Sequence, residues 1–223
     1  VGLNGRVCAR KPLLKEKNKL KRFLWALQHE HWTIEQWKQV LWSDEKKFEL
    51  FLNGKRRQYC RRRTNEPLCD DTVQATVKHG GASVMFWGCM GKESTGSIFN
   101  VQGIMKKEQY KSILETQALP SGKNLFAAEQ WVFQQDNDPK HSSKLCKNYL
   151  SEQATTQNFS VMNWPPQSPD LSAIELLWDE VDRQVQAKRP TNKTGLEETV
   201  KEVWNSIDAE KINKLLARMP LLC

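Results

Sequence analysis

The chain has 223 residues, 39% hydrophobic and 27% charged, with a net charge of +8, enough to bury a substantial core and too mixed in composition for a disordered or fibrous protein. No apolar stretch approaches the roughly 18 residues of a membrane span. The six cysteines (8, 60, 69, 89, 146, 223) form no CxxC pair and sit at no zinc-finger spacing to histidine, which excludes the common zinc modules and leads us to expect a soluble protein with free thiols in a reducing compartment.

Charge is unevenly placed. Residues 1–63 carry 17 Lys and Arg against 6 Asp and Glu, and the remainder 17 against 20. A basic N-terminal third beside a slightly acidic remainder suits either a polyanion partner or a plain solvated face. Residues 1–37 read as mostly helical, with Leu20, Phe23, Leu24 and Leu27 as an apolar stripe and Thr33 capping a short second helix to Trp37. Val40-Leu41-Trp42 reads as a strand, Lys47 to Phe51 as a second, and Asn53-Gly54 as a hairpin turn. Arg56, Arg57, Arg61, Arg62 and Arg63 follow, with Tyr59 between them.

Ser83 to Met90 is a near-continuous apolar run, as in a strand buried on both faces. The glycines around it (Gly80, Gly81, Gly88, Gly91, Gly96) lack Walker spacing and a following Lys, so close backbone packing is expected in place of nucleotide binding. Ser97 to Val101 is a short strand and Glu108 to Ala118 a helix. Trp131 to Phe133 is a strand, His141 to Leu150 a helix, Phe159 to Met162 a strand, and Ala173 to Ala187 the longest helix. Two helices close the chain, through Leu196 to Trp204 and Ile212 to Leu216. Strands followed by alternating strands and helices predict an α/β protein with a mixed sheet flanked by helices.

Three carboxylates stand in distinctive contexts: Asp44 in VLWSDEKKF, Asp136 in WVFQQDNDPKH and Glu175 in WPPQSPDLSAIELLW. Each has a bland reading. Ser43-Asp44-Glu45 fits turn chemistry between two strands. Asp136 ends a strand, where mixed sheets bind ligands, while Asp138 before Pro139 suits a turn. Ser172-Ala173-Ile174-Glu175 fits a capping box, so Glu175 could simply close a helix start; Asp179, one turn on, is a rival ligand. His141 is either a local hydrogen-bonder or a group supporting Asp136 or contacting DNA. Core packing is the default for the nine Trp, and Trp164, off any apolar stripe, is the candidate for a surface contact.

Taken in order, WSDE, DNDPKH and SPDLSAIE resemble the catalytic motifs of the Tc branch of the Tc/mariner superfamily of DDE transposases, over nearly the whole chain. The resemblance implies a ribonuclease H-like fold over residues 38–223, preceded by a basic helical linker over 1–37 whose helix-turn-helix DNA-binding domains would lie outside this chain. It implies that Asp44, Asp136 and Glu175 hold two Mg²⁺ ions, with Mn²⁺ able to substitute. Such a pair, roughly 3.5–4 Å apart, suits phosphodiester chemistry. It also implies cleavage of transposon ends and strand transfer into target double-stranded DNA, a homodimer pairing two ends, and action in the nucleus. Arg56, Arg57, Arg61, Arg62, Arg63, Lys140, His141 and Trp164 are the expected DNA contacts. The 38 residues between Asp136 and Glu175 exceed the family's commonest spacing, and the excess is expected in a loop around Glu152 to Asn158. Ala173 and Ser172 replace the family's frequent Pro and Asn but keep a helix start. Alternatives are a domesticated, inert DNA-binding protein and a nuclease of the same fold acting on RNA–DNA hybrids.

Overall fold

A computed structural model describes residues 13–50, 63, 65–67, 69 and 81–222. The sheet has five strands in the order β3-β2-β1-β4-β5: β1 (Val40–Glu49), β2 (Ser83–Gly91), β3 (Ser94–Val101), β4 (Trp131–Gln134) and β5 (Phe159–Val161). β2 pairs antiparallel with both β1 and β3, whereas β4 lies parallel to β1, and β5 parallel to β4. The mixed α/β sheet flanked by helices is therefore as expected.

Each face of the sheet carries its own core. Val40, Trp42 and Phe48 of β1 point into a layer containing Trp178 and Trp204, covered by α6 (Ala173–Ala187), α7 (Lys193–Asn205) and α8 (Ala209–Leu216). Leu41 points the other way, with Trp87, Tyr110 and Phe133, under α3 (Lys107–Ile113), α4 (Leu119–Phe126) and α5 (Lys144–Thr156). This is strand alternation at work: successive side chains serve opposite layers. α1 (Glu16–His29) and α2 (Ile34–Lys38) dock beside the first layer through buried Trp25 and Trp37. No helix among the described residues is long and apolar enough to cross a membrane. Cys89 and Cys146 are buried and free, as small core residues.

Several expectations need correction. β1 is one ten-residue strand, not two strands around a turn, so Asp44 sits within a ladder opposite Gly88. The polar run Ser43 to Lys47 stays extended because strands pair along its whole length on the β2 side. The helix expected to end at Ala118 continues through a π-helical turn, Leu114–Ala118, into α4, with Pro120 near its start. The wide turn absorbs the missing proline N–H. Glu152 to Thr156 is the last part of α5, not loop. His141 precedes that helix, whose N-cap is Ser143. In α1 the stripe Leu20, Phe23, Leu24 and Leu27 faces solvent, because the helix is anchored by Trp25 instead. The hairpin at Asn53-Gly54 and the end of the second expected strand at Phe51 lie outside the described residues.

Close backbone packing holds at Gly88, Gly91 and Gly96, while Gly80 lies outside the described residues. A Cβ on Gly88 would stand 2.7 Å from the Trp178 ring, and one on Gly96 2.6 Å from Cys89 Sγ.

Candidate active site

Parallel pairing of β1 with β4 sets Trp42 beside Gln134. The chain leaves β4 there, and Asp136 follows two residues on. Two further bonds tie these strands: Ser43 Oγ donates to Gln134 O at 2.8 Å, and Ser43 N to Gln134 Oε1 at 3.3 Å. Alternation along β1 turns Asp44, like Trp42 and Phe48, toward the α6 layer. Glu175 enters that layer from the first turn of α6. All three carboxylates line one cleft of about 430 Å³, walled also by Asn137, Ser172 and the Trp164–Pro169 loop.

The capping-box reading of Glu175 fails. Ser172 occupies the N-cap, but its hydroxyl is buried without a hydrogen-bond partner and caps nothing. Its backbone N–H goes to Pro169 O at 3.0 Å. Glu175 thus lines the cleft with no cap to hold it at the helix end.

Crowding of like charge shows in the proton affinities. Burial, then the carboxylates of Glu175 and Glu45, push the Asp44 carboxyl up to about 8. Burial also raises Glu175, with Lys46 partly offsetting and Asp179 and Asp136 adding to the rise. Asp136 goes the other way. Burial works to raise it, but hydrogen bonds from His141 and the Asp138 N–H outweigh that and hold it below the ordinary carboxylate value. Burial opposes charge on His141, yet Asp136 and Glu45 carry its imidazole up to about 9.

These oxygens suit hard divalent cations, and a bound cation would offset both the burial and the added repulsion that raise Asp44. Among the described residues no group of three His, Cys, Asp or Glu stands close enough to hold a metal ion without adjustment. The donors share a cleft; they do not yet form a shell.

The profile of the DDE superfamily endonucleases matches residues 39–196. The Tc1 transposase of Caenorhabditis elegans is 37% identical over 223 residues, covering 100% of this chain and 79% of that relative. The chain belongs to the DDE superfamily endonucleases. Within them it is a transposase catalytic domain of the Tc/mariner kind. The fold agrees: the chain superposes on a Mos1 transposase paired-end complex with left transposon end at TM-score 0.75 and 16% identity, covering 99% of this chain and 64% of that one. On the crystal structure of the Mos1 mariner transposase catalytic domain it scores 0.67 at 13% identity, covering 96% and 94%. The expected ribonuclease H-like architecture is the one observed.

In this DDE endonuclease the other expected site residues fare unevenly. Trp164 is buried, 7% exposed, edge-on to Trp25 at 5.1 Å and Trp42 at 6.0 Å; its ring belongs to the core, not to a surface contact. His141, 3% exposed, is too buried to meet a strand directly. Lys140 is ion-paired to Asp138 at 2.8 Å. Arg63 is exposed, whereas Arg56, Arg57, Arg61 and Arg62 lie outside the described residues. Asp138 makes the expected turn, its Oδ1 accepting from Lys140 N at 2.9 Å. Asp179 is not in the cleft wall and pairs with Lys46 at 3.7 Å.

Two residues escaped the sequence reading. Asn137 donates through Nδ2 to Trp164 O at 2.8 Å, joining the Asp136 loop to the loop before Glu175. Glu45 contacts His141 from the far side of β1. Its place directly after Asp44 was the available signal, but pairing it with a histidine 96 positions away needs the fold.

Proposed function

We propose that this domain cuts DNA at transposon ends and joins the freed ends to target DNA, in a reaction that depends on divalent metal. The observation that carries this reading is the convergence of Asp44, Asp136 and Glu175 on one cleft, with Asp44 pushed to about 8 by burial and then by its acidic neighbours. The three would hold two Mg²⁺ ions, or Mn²⁺ in their place. Bound there, such ions activate a water or a 3′-hydroxyl and stabilise the departing oxygen.

The chain's own part is placement. Asp44 is held within a ladder paired on the β2 side, and Asp136 is fixed by the Asp138 N–H at 3.0 Å and by His141. Glu175 is carried by α6, whose Ile174, Leu177 and Trp178 are buried in the core. No side chain acts as nucleophile in this reading. Phosphates would be gripped by Arg56, Arg57, Arg61, Arg62 and Arg63 with help from Lys140, which gives affinity and salt sensitivity without sequence choice. Residues 1–37 would serve as the linker from end-binding domains to the catalytic unit of residues 38–223. Two copies would pair two ends, and the work would be done in the nucleus, where the substrate lies.

The test is Mg²⁺- or Mn²⁺-dependent nicking of a matched transposon-end duplex, wild type beside Asp136→Asn. We expect metal-dependent nicking by the wild type alone. Equal nicking by both, or none by the wild type, would favour an inert DNA-binding descendant instead.

A further inference from the structure

Asp44 and Glu45 are chain neighbours and so face opposite sides of the sheet. Asp44 looks into the cleft, while Glu45 enters the layer under α3 and α5. There Glu45 Oε1 lies 2.9 Å from His141 Nε2, and the other ring nitrogen, Nδ1, lies 2.5 Å from Asp136 Oδ1. Carboxylates only accept, so both ring nitrogens act as donors. The Tyr110 ring packs over the imidazole, with centroids 3.8 Å apart, and its hydroxyl is tied to Gln135 Oε1 at 2.7 Å. The histidine is thus clamped at both nitrogens and across one face.

Asp136 receives its hydrogen bonds on one oxygen: Oδ1 accepts from both His141 and the Asp138 N–H. A carboxylate torsion is broad when unrestrained. An imidazole that lost its second partner would be free to turn and would leave a buried N–H unpaired.

We propose that Glu45 is a positioning residue of the site: acting through His141, it fixes the rotation of the Asp136 carboxylate, so that Oδ1 is held by the protein and Oδ2 is given to a divalent cation. This rests on the reading of Asp136 as a metal ligand. Partners one step behind a ligand commonly set its affinity, at roughly 10–100-fold per partner lost.

The experiment measures Mn²⁺ affinity, from loss of the free-ion EPR signal, for wild type, Glu45→Ala, Glu45→Gln and Asp136→Asn, with thermal melts on each. Glu45→Ala should weaken binding by roughly 10–100-fold. Glu45→Gln, which keeps an acceptor oxygen for Nε2, should recover most of that loss. If Glu45→Ala does not fold, His141→Asn cuts the same relay at its centre and should show the same loss. The proposal is overturned if these variants bind Mn²⁺ like wild type while Asp136→Asn is weakened. A fall in melting temperature with unchanged affinity of the folded protein overturns it too, since that is the mark of a merely structural Glu45. Equal affinity in wild type and Asp136→Asn would instead remove Asp136 as a ligand, and the positioning role with it.

Discussion

Arg22 of α1 grips Asp170 with both ends of its guanidinium, Nη1 to Oδ1 at 2.8 Å and Nη2 to Oδ2 at 2.6 Å, 148 residues away in sequence. The same Nη1 donates to Gln167 O at 3.0 Å, and Asn18 Nδ2 to Gln167 Oε1 at 2.8 Å. The N-terminal helix is therefore latched to the loop that delivers Glu175.

A fork-to-fork pair with only one partner exposed sits near the upper end for surface ion pairs, about 1 kcal/mol. In a double-mutant cycle of Arg22→Ala and Asp170→Asn, the coupling in unfolding free energy should be near that value. Hydrogen exchange in α1 and in residues 165–171 should quicken together in either single variant. Exchange that quickens in α1 alone would show that the latch does not bind the loop.

The raised carboxyl of Asp44 has a definite pH signature. Its folded value of about 8 lies above its ordinary 3.8, so between those values the folded chain binds the extra proton. Stability of the metal-free protein then falls as pH rises from about 4 to about 8, by linkage. Asp44→Asn, which cannot ionise, should raise the melting temperature in EDTA more at pH 8 than at pH 5. An equal gain at both pH values would contradict the assignment. Metal uptake near pH 7 should also release a proton, read as a dependence of the calorimetric heat on buffer ionisation enthalpy.

Gly88 lies opposite Asp44 in the β1–β2 ladder, and a methyl group there would meet Trp178 at 2.7 Å and Trp204 at 3.0 Å. Both rings are fully buried and have little room to yield. Gly88→Ala should cost about 1–3 kcal/mol in denaturant unfolding. Adding Trp178→Phe should return part of it. A neutral Gly88→Ala would show that the tryptophan pair is looser than it stands.

Two helix starts that look alike in sequence should respond differently. Thr33 makes a full capping box with Gln36, its hydroxyl accepting from Gln36 N at 3.3 Å and its N–H donating to Gln36 Oε1 at 2.9 Å. Thr33→Ala should cost about 1 kcal/mol. Ser172→Ala should cost well under half of that, because its hydroxyl caps nothing. A comparable loss at both positions would falsify this distinction.

Much of this could be read from residue order. The bounds of α6, Ala173 to Ala187, are legible because Ile174, Leu177, Trp178, Val181 and Val185 recur at helical spacing, and all five are buried. The three carboxylates were found through their motif contexts. What stayed hidden depended on contacts between distant segments. Ser43-Asp44-Glu45 looks like a turn until β2 pairs along it. The helix read as ending at Ala118 runs on through Pro120 and Gly122, and Gly122 is seated against Trp131, where a Cβ would stand at 2.4 Å. Trp164 looks exposed until Trp25 and Trp42 close around it. The Glu45–His141 contact follows from strand alternation only once the turn after β4 is placed.

The Ser43–Gln134 staple between β1 and β4 divides the site mechanically. Asp44 on β1 and Asp136, two residues past the end of β4, are tied through strands cross-linked by backbone and side chain, so they form one jaw. Glu175 rides on a helix held to β1 through side chains, by its buried apolar face, the Lys46–Asp179 pair at 3.7 Å and Gln186 Nε2 donating to Glu49 O at 3.0 Å, and it forms the other jaw. The two jaws meet at a cross-tie, Asn137 Nδ2 to Trp164 O at 2.8 Å, so the spacing of the three acids is set by that bond and by the seating of α6, neither of which involves a ligand oxygen.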